Sequence, residues 1–252
     1  MKYIFGNWKM KLSPQDEMTL ARKLSGLSFD QQRVIVTICP TFASLIPVAQ
    51  SIKNLPIALG AQDCFYEDSG AFTGEISPYA LKHIGCEYVI IGHSERRQYL
   101  GETDDIINKK VHAAINNMLI PVLCVGETKD QRESGNKDHI VRRQVELALE
   151  KVKIIEGSAL FIAYEPVWAI GTGNPASIPE ITYMHNVIYQ TMIDVLSVSV
   201  ASHNTHILYG GSVDETNTGD LLKEEMIHGV LVGGASVKYE EFKKMVEIAT
   251  AF

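Results

Sequence analysis

Residues 160–173 read LFIAYEPVWAIGTG. The run Leu160 to Tyr164 has no polar face, the pattern of a parallel strand covered on both sides. Glu165 ends it, Pro166 and Trp168 follow, and a loop with two glycines comes next. Beyond the loop, residues 179–196 open with Pro179 at a first-turn position and place Met184, Val187, Ile188 and Ile193 on one helical stripe. Residues 205–210 (THILYG) are apolar again. Strand, helix and strand in this order form a unit with a right-handed crossover between parallel strands. The charge at the mouth of the buried strand marks the end where such units carry their chemistry.

The same unit recurs outward in both directions. Strand candidates are residues 3–8 (YIFGNW), 33–38 (RVIVTI), 57–62 (IALGAQ) and 87–92 (EYVIIG). They continue with 120–125 (IPVLCV), 160–165, 205–210 and 229–233 (GVLVG). Between them, residues 103–118 align Ile106, Ile107, Val111, Ala114, Ile115 and Met118, with Thr103 as N-cap. Residues 137–152 do the same with Ile140, Val141, Val145, Leu147, Ala148 and Val152. Eight units in 252 residues predict an α/β fold, a closed (β/α)8 TIM barrel with eight parallel strands surrounded by helices. No linker or break in composition divides the chain, so residues 1–252 are expected to form one domain. An open doubly wound sheet is the alternative; it normally carries G-x-G-x-x-G after its first strand, and Gly6-Asn7-Trp8 does not match.

Composition narrows the function. Apolar residues make up 46% and charged residues 21% of the chain, and 23 basic against 30 acidic residues give a net charge of −7. This balance disfavours nucleic-acid binding but leaves room for a locally positive site. The four cysteines, Cys39, Cys64, Cys86 and Cys124, show no C-x-x-C or metal-type spacing, which fits a reducing compartment. Met1-Lys2 runs straight into Tyr3-Ile4-Phe5 without a signal-peptide pattern, and no apolar run is long enough for a bilayer. A cytoplasmic enzyme without a membrane partner is the expectation.

In a barrel of this type the groups to inspect stand at strand ends. The first strand delivers Asn7 and Lys9, expected to share one inward face. An inward lysine calls for an anion, whereas a solvated one needs none. The fourth strand ends IIGHSERR and delivers His93 where a short helix starts, a position that favours the neutral ring. Glu95 reads either as a second site carboxylate or as a helix-start acid paired with Arg96 or Arg97. Glu165, after FIAY and before Pro-Val-Trp, is expected to be desolvated, with a raised pKa suited to a base. Cys124 and Glu127 read as supporting groups. The seventh and eighth strands end in YGGSV and LVGGASV, where Gly210, Gly211, Ser212, Gly233 and Gly234 can bring backbone N–H groups to a phosphate. A helix start after Gly234 would add its dipole.

These motifs together resemble the triosephosphate isomerase family along essentially the whole chain. The resemblance rests on GNWKM, GAFTGEIS (70–77), IIGHSERR (90–97), LCVGET (123–128), AYEPVWAIGTG (163–173), YGGSV (209–213) and LVGGASV (231–237). It implies interconversion of dihydroxyacetone phosphate and glyceraldehyde 3-phosphate through an enediolate. Glu165 would be the base, neutral His93 the electrophile, and Lys9 and Asn7 the electrostatic partners. The phosphate would sit on Gly171, Ser212, Gly233 and Gly234, under a lid formed by residues 167–177. No cofactor and no metal is implied. The partners implied are a triose phosphate and a second copy of the chain bound through residues 63–75, with Thr73 reaching the other site.

Three positions depart from the family pattern. Asn174 replaces a usual lysine in the lid and is followed by Pro175, which stiffens one hinge. Asp63 replaces a usual asparagine, so a carboxylate there is expected to be protonated at the subunit interface or bonded to backbone N–H groups. His228 replaces a usual aspartate before the eighth strand. Two other functions compete: a glycoside hydrolase using Glu127 and Glu165 as its carboxylate pair, and a non-catalytic phosphate-binding or partner-binding dimer. The glycine pairs and the inward Lys9 argue against the first. The presence of Lys9, His93 and Glu165 together argues against the second.

Overall fold

The structure is a computed structural model and describes residues 1–154, 158–170 and 175–252. Eight strands close into a barrel in sequence order: β1 (Lys2–Asn7), β2 (Val34–Cys39), β3 (Ile57–Ala61), β4 (Tyr88–Ile91), β5 (Ile120–Val125), β6 (Leu160–Tyr164), β7 (Thr205–Tyr209) and β8 (Gly229–Val232). Every neighbouring pair is parallel, including β8 with β1. Closure requires a residue without Cβ at Gly229, where an added methyl carbon would lie 2.1 Å from the Tyr3 carbonyl oxygen. The expected strands are all present. Most of them stop a residue earlier than expected, so Glu165 lies just past β6 rather than within it.

Alternation along the strands separates two apolar layers. Tyr3, Phe5, Tyr88, Phe161 and Leu208 point into the barrel, whereas Ile4, Val36, Ile91 and Ile207 face the surrounding helices. The interior is a packed aromatic centre: Phe5 meets Tyr88 edge-on at 5.0 Å, and Tyr3 meets Phe161 at 4.8 Å. Chemistry is therefore confined to the rim.

The helices follow their sequence signals. Asp104–Asn116 is capped by the Thr103 side chain, which accepts from the Ile106 N–H. Ile178–Leu196 starts with a capping box between Ser177 and Glu180 and carries Pro179 in its first turn. The helix expected over residues 137–152 ends at Ala148. Among the described residues, no helix is long and apolar enough to cross a membrane.

Candidate active site

The C-terminal ends of the strands converge on a cavity of about 450 Å³. It is lined by Asn7, Lys9, His93, Glu165, Ser212 and Gly233, among others. Asn7, Lys9, His93, Glu165, Ser212, Gly233 and Gly234 therefore meet in one place, whereas Glu95, Cys124 and Glu127 do not line it. Gly171 and Asn174 lie outside the described residues.

Asn7 ends β1, is buried, and accepts the Lys9 N–H through Oδ1 at 3.1 Å. Strand alternation is not what aims Lys9. β1 ends two residues earlier, and Lys9 sits at φ 52°, in the left-handed region that side chains rarely adopt. Gln62 holds this turn by donating to the carbonyls of Lys9 at 2.9 Å and Cys39 at 3.0 Å. Nothing in the sequence marked Gln62 for this role. The turn delivers Lys9 Nζ to Glu95 Oε1 at 2.7 Å. Glu95 is paired with Lys9 rather than with Arg96 or Arg97.

His93 is the N-cap of the helix Ser94–Leu100, and its Nδ1 accepts the Glu95 N–H at 3.2 Å. That bond leaves the ring proton on Nε2, which faces Glu165 Oε1 at 3.1 Å. The other carboxylate oxygen accepts the Ser94 N–H at 2.9 Å. Gly210 makes room for this carboxylate: a Cβ there would lie 2.9 Å from Glu165 Cγ.

The expectation of a raised Glu165 pKa is corrected. Burial alone would raise it, but the His93 ring, the Ser94 N–H and Lys9 outweigh burial and hold the carboxyl below its ordinary value. Cys124 lies buried beside this carboxylate; burial, then the Glu165 charge, pushes its thiol well up, so it stays neutral.

Gly211, Ser212, Gly233 and Gly234 line the other side of the cavity. Their backbone N–H groups donate to no other described residue. Only a four-residue 3-10 turn, Gly234–Val237, follows, so the expected helix dipole is replaced by individual N–H groups. Ser236 Oγ ties this turn to the Gly233 carbonyl at 2.6 Å and to the Asn7 carbonyl at 3.3 Å. The ends of β8 and β1 are locked together.

Glu127 is fully buried and serves as an anchor. It accepts from Tyr164 Oη at 3.1 Å and from Trp168 Nε1 at 2.8 Å, at the start of the loop after β6. The Arg132 guanidinium stacks 4.2 Å over the Trp168 ring and pairs with Glu180. At the far end of that loop, Tyr209 Oη accepts the Ala176 N–H at 3.3 Å. Tyr209 and Arg132 escaped the sequence reading because their partners come from other strands and helices.

Asp63 is bonded to side-chain cations rather than to backbone N–H groups. It accepts from Lys110 Nζ at 2.7 Å and pairs with Arg96 at 2.9 Å, in a buried network that also includes Glu102. Burial still pushes its carboxyl up to about 6 against these cations. Among the described residues, no group of three or more His, Cys, Asp or Glu side chains could hold a metal ion.

The family model for triosephosphate isomerase matches residues 2–249. A triosephosphate isomerase of Roseiflexus sp. (strain RS-1) is 46% identical over 242 residues, covering 96% of this chain and 94% of its own. One from Thermoanaerobacter pseudethanolicus is 44% identical over 243 residues, covering 96% and 97% respectively. One from Endomicrobium trichonymphae is 43% identical over 242 residues, covering 96% of both. With a closed parallel barrel and a histidine–glutamate pair at its rim, the chain belongs to the triosephosphate isomerase family.

Proposed function

We propose that the chain interconverts dihydroxyacetone phosphate and glyceraldehyde 3-phosphate, with Glu165 as base and neutral His93 as electrophile. The observation that carries this is the meeting of His93 Nε2 and the Glu165 carboxylate at 3.1 Å, at a cavity lined on its other side by Gly211, Ser212, Gly233 and Gly234. The phosphate dianion accepts from Ser212, Gly233 and Gly234, and from Gly171 when the loop covers it. With the phosphate fixed, the substrate oxygens take the place of the Glu165 carboxylate at His93 Nε2. Glu165 then removes the proton beside the carbonyl, His93 donates to the oxygen that gains charge, and Glu165 returns its proton to the neighbouring carbon. Lys9 and Asn7 stabilise the enediolate, and the lid over residues 167–177 keeps out water that would promote loss of phosphate.

The low pKa of Glu165 fits this scheme. The free enzyme keeps the base charged, and removing its two hydrogen bonds as substrate enters raises its basicity when the proton must move.

A coupled isomerase assay on wild type and Glu165→Asp tests the assignment. Drawing the carboxylate back by one methylene is expected to lower kcat by about 10²-fold, with KM within a few-fold. Full activity of the variant overturns it.

A homodimer is part of the proposal. The loop over residues 63–75 is stiffened by Phe65, which stacks on Tyr66 at 4.0 Å and meets Phe72 at 4.7 Å. Beside Lys9, His93 and Glu95 lies a groove of about 650 Å³ walled by Met10, Phe42, Tyr99 and Leu100, all exposed in the single chain. A partner's Thr73 loop fits this surface in character, and docking there would cover the turn that carries Lys9. We assign the protein to the cytoplasm, consistent with its four buried free thiols.

A further inference from the structure

The cavity holds a cation that the family resemblance does not account for. Lys11 lines it, with Nζ 3.4 Å from the position a Cβ would take on Gly234. Two other lysines line the same cavity, and both are neutralised. Lys9 Nζ is bonded to Glu95 at 2.7 Å, and Lys238 Nζ to Glu241 at 2.7 Å. Lys11 has no acidic partner among the described residues. Asp214 and Glu241 also border the cavity, so a dianion entering it meets negative charge as well as N–H donors.

We propose that Lys11 is the charge-matching residue of the phosphate subsite, setting its preference for a dianion over a monoanion or a neutral group. The inference rests on the reading of this cavity as the triose phosphate site. The four N–H groups supply direction but only partial charge. Lys9 Nζ lies 3.8 Å from the position a Cβ would take on Gly233, but its charge is already engaged by Glu95 at 2.7 Å. Lys11 supplies the full positive charge beside Gly234, on a flexible stem. Because Lys11 is exposed, its contribution is screened by salt.

The test compares wild type, Lys11→Met and Lys11→Arg. Methionine keeps the apolar stem and removes the charge. Three quantities are measured at low and high ionic strength: KM and kcat for the triose phosphate, the competitive inhibition constant of inorganic phosphate, and kcat/KM for unphosphorylated glyceraldehyde. For Lys11→Met at low salt, KM and the phosphate inhibition constant are expected to rise together, by about 3- to 10-fold, with kcat within about two-fold. The difference is expected to shrink at high salt, glyceraldehyde turnover to stay unchanged, and Lys11→Arg to restore phosphate affinity. An unchanged phosphate inhibition constant in Lys11→Met, or an equal loss on glyceraldehyde, overturns the proposal. The two readings fail separately. Full activity of Glu165→Asp removes the site assignment itself, whereas a crippled Glu165→Asp beside an unaffected Lys11→Met removes only the role of Lys11.

Discussion

Glu165 and His228 show how one side chain's protonation is decided by what the fold aims at it. Glu165 is among the most buried groups in the molecule and is nonetheless held in its charged form, because two N–H donors and a nearby lysine converge on it. His228 is the reverse case. Its Nδ1 accepts the Ile207 N–H at 2.8 Å, and burial, His206, Lys2 and the N-terminal amine lower its pKa to about 4. His185, fully buried behind it, is lowered to about 4 by burial and by His228, against the opposing bond to the Met226 carbonyl. The fold binds both rings neutral while the unfolded chain protonates near 6.5, so the unfolded state takes up more protons between pH 6.5 and 4. The stability each ring contributes is complete above that window and is lost as pH falls through it, up to about 3 kcal/mol for each ring. His228→Asn, which keeps an acceptor for Ile207, is expected to lose less melting temperature than wild type between pH 7 and pH 5. Parallel melting curves for the two proteins across that range would refute the assignment.

The loop after β6 is held at both ends by groups from elsewhere in the barrel. Glu127 of the β5 end grips Trp168 and Tyr164, Arg132 covers the Trp168 ring, and Tyr209 of β7 takes the Ala176 N–H. If the proposed lid closes over the site, these fixed ends set the position from which it does so. Glu127→Leu removes the acceptor for the buried Tyr164 and the half-buried Trp168, at about 1–3 kcal/mol for each donor left unpaired. In the coupled assay its kcat/KM is expected to fall by about tenfold or more, and Glu127→Gln, which keeps an acceptor for Trp168, is expected to fall much less. Equal activities in all three proteins would show that the anchor does not govern the lid. The stiffening expected from Pro175 concerns this same element, whose residues 171–174 lie outside the described structure.

For the molecule as a whole, the proposed dimer is tested on the exposed apolar surface beside the site. Met10 is 92% exposed and Tyr99 72% exposed, and both flank the groove next to the site. A stable dimer of standard size buries about 1,200–2,000 Å², and of the 63–75 loop Asp63 itself lines the groove. Sedimentation equilibrium at micromolar concentration is expected to give twice the chain mass. Thr73→Arg, which forces a charge into the groove, is expected to shift the chain towards monomer with loss of activity. A fully active wild-type monomer would exclude the partner's contribution to the site.

The periodicity of apolar runs determined the barrel by itself, because strand and helix burial repeat locally and closure follows from eight parallel units. The placement of Asn7, His93 and Glu165 at the barrel rim was legible for the same reason: each stands at the end of a readable strand. Their environments were not legible, since charge state and orientation depend on groups distant in sequence. Glu165 has a lowered pKa because Ser94 and His93 arrive from β4, 71 and 72 residues away. Lys9 is aimed by a left-handed turn clamped by Gln62, and Asp63 is enclosed by Lys110 and Arg96. Patterning along a chain records which faces are buried; only the tertiary structure brings partners together, and electrostatics at a buried group is set by those partners.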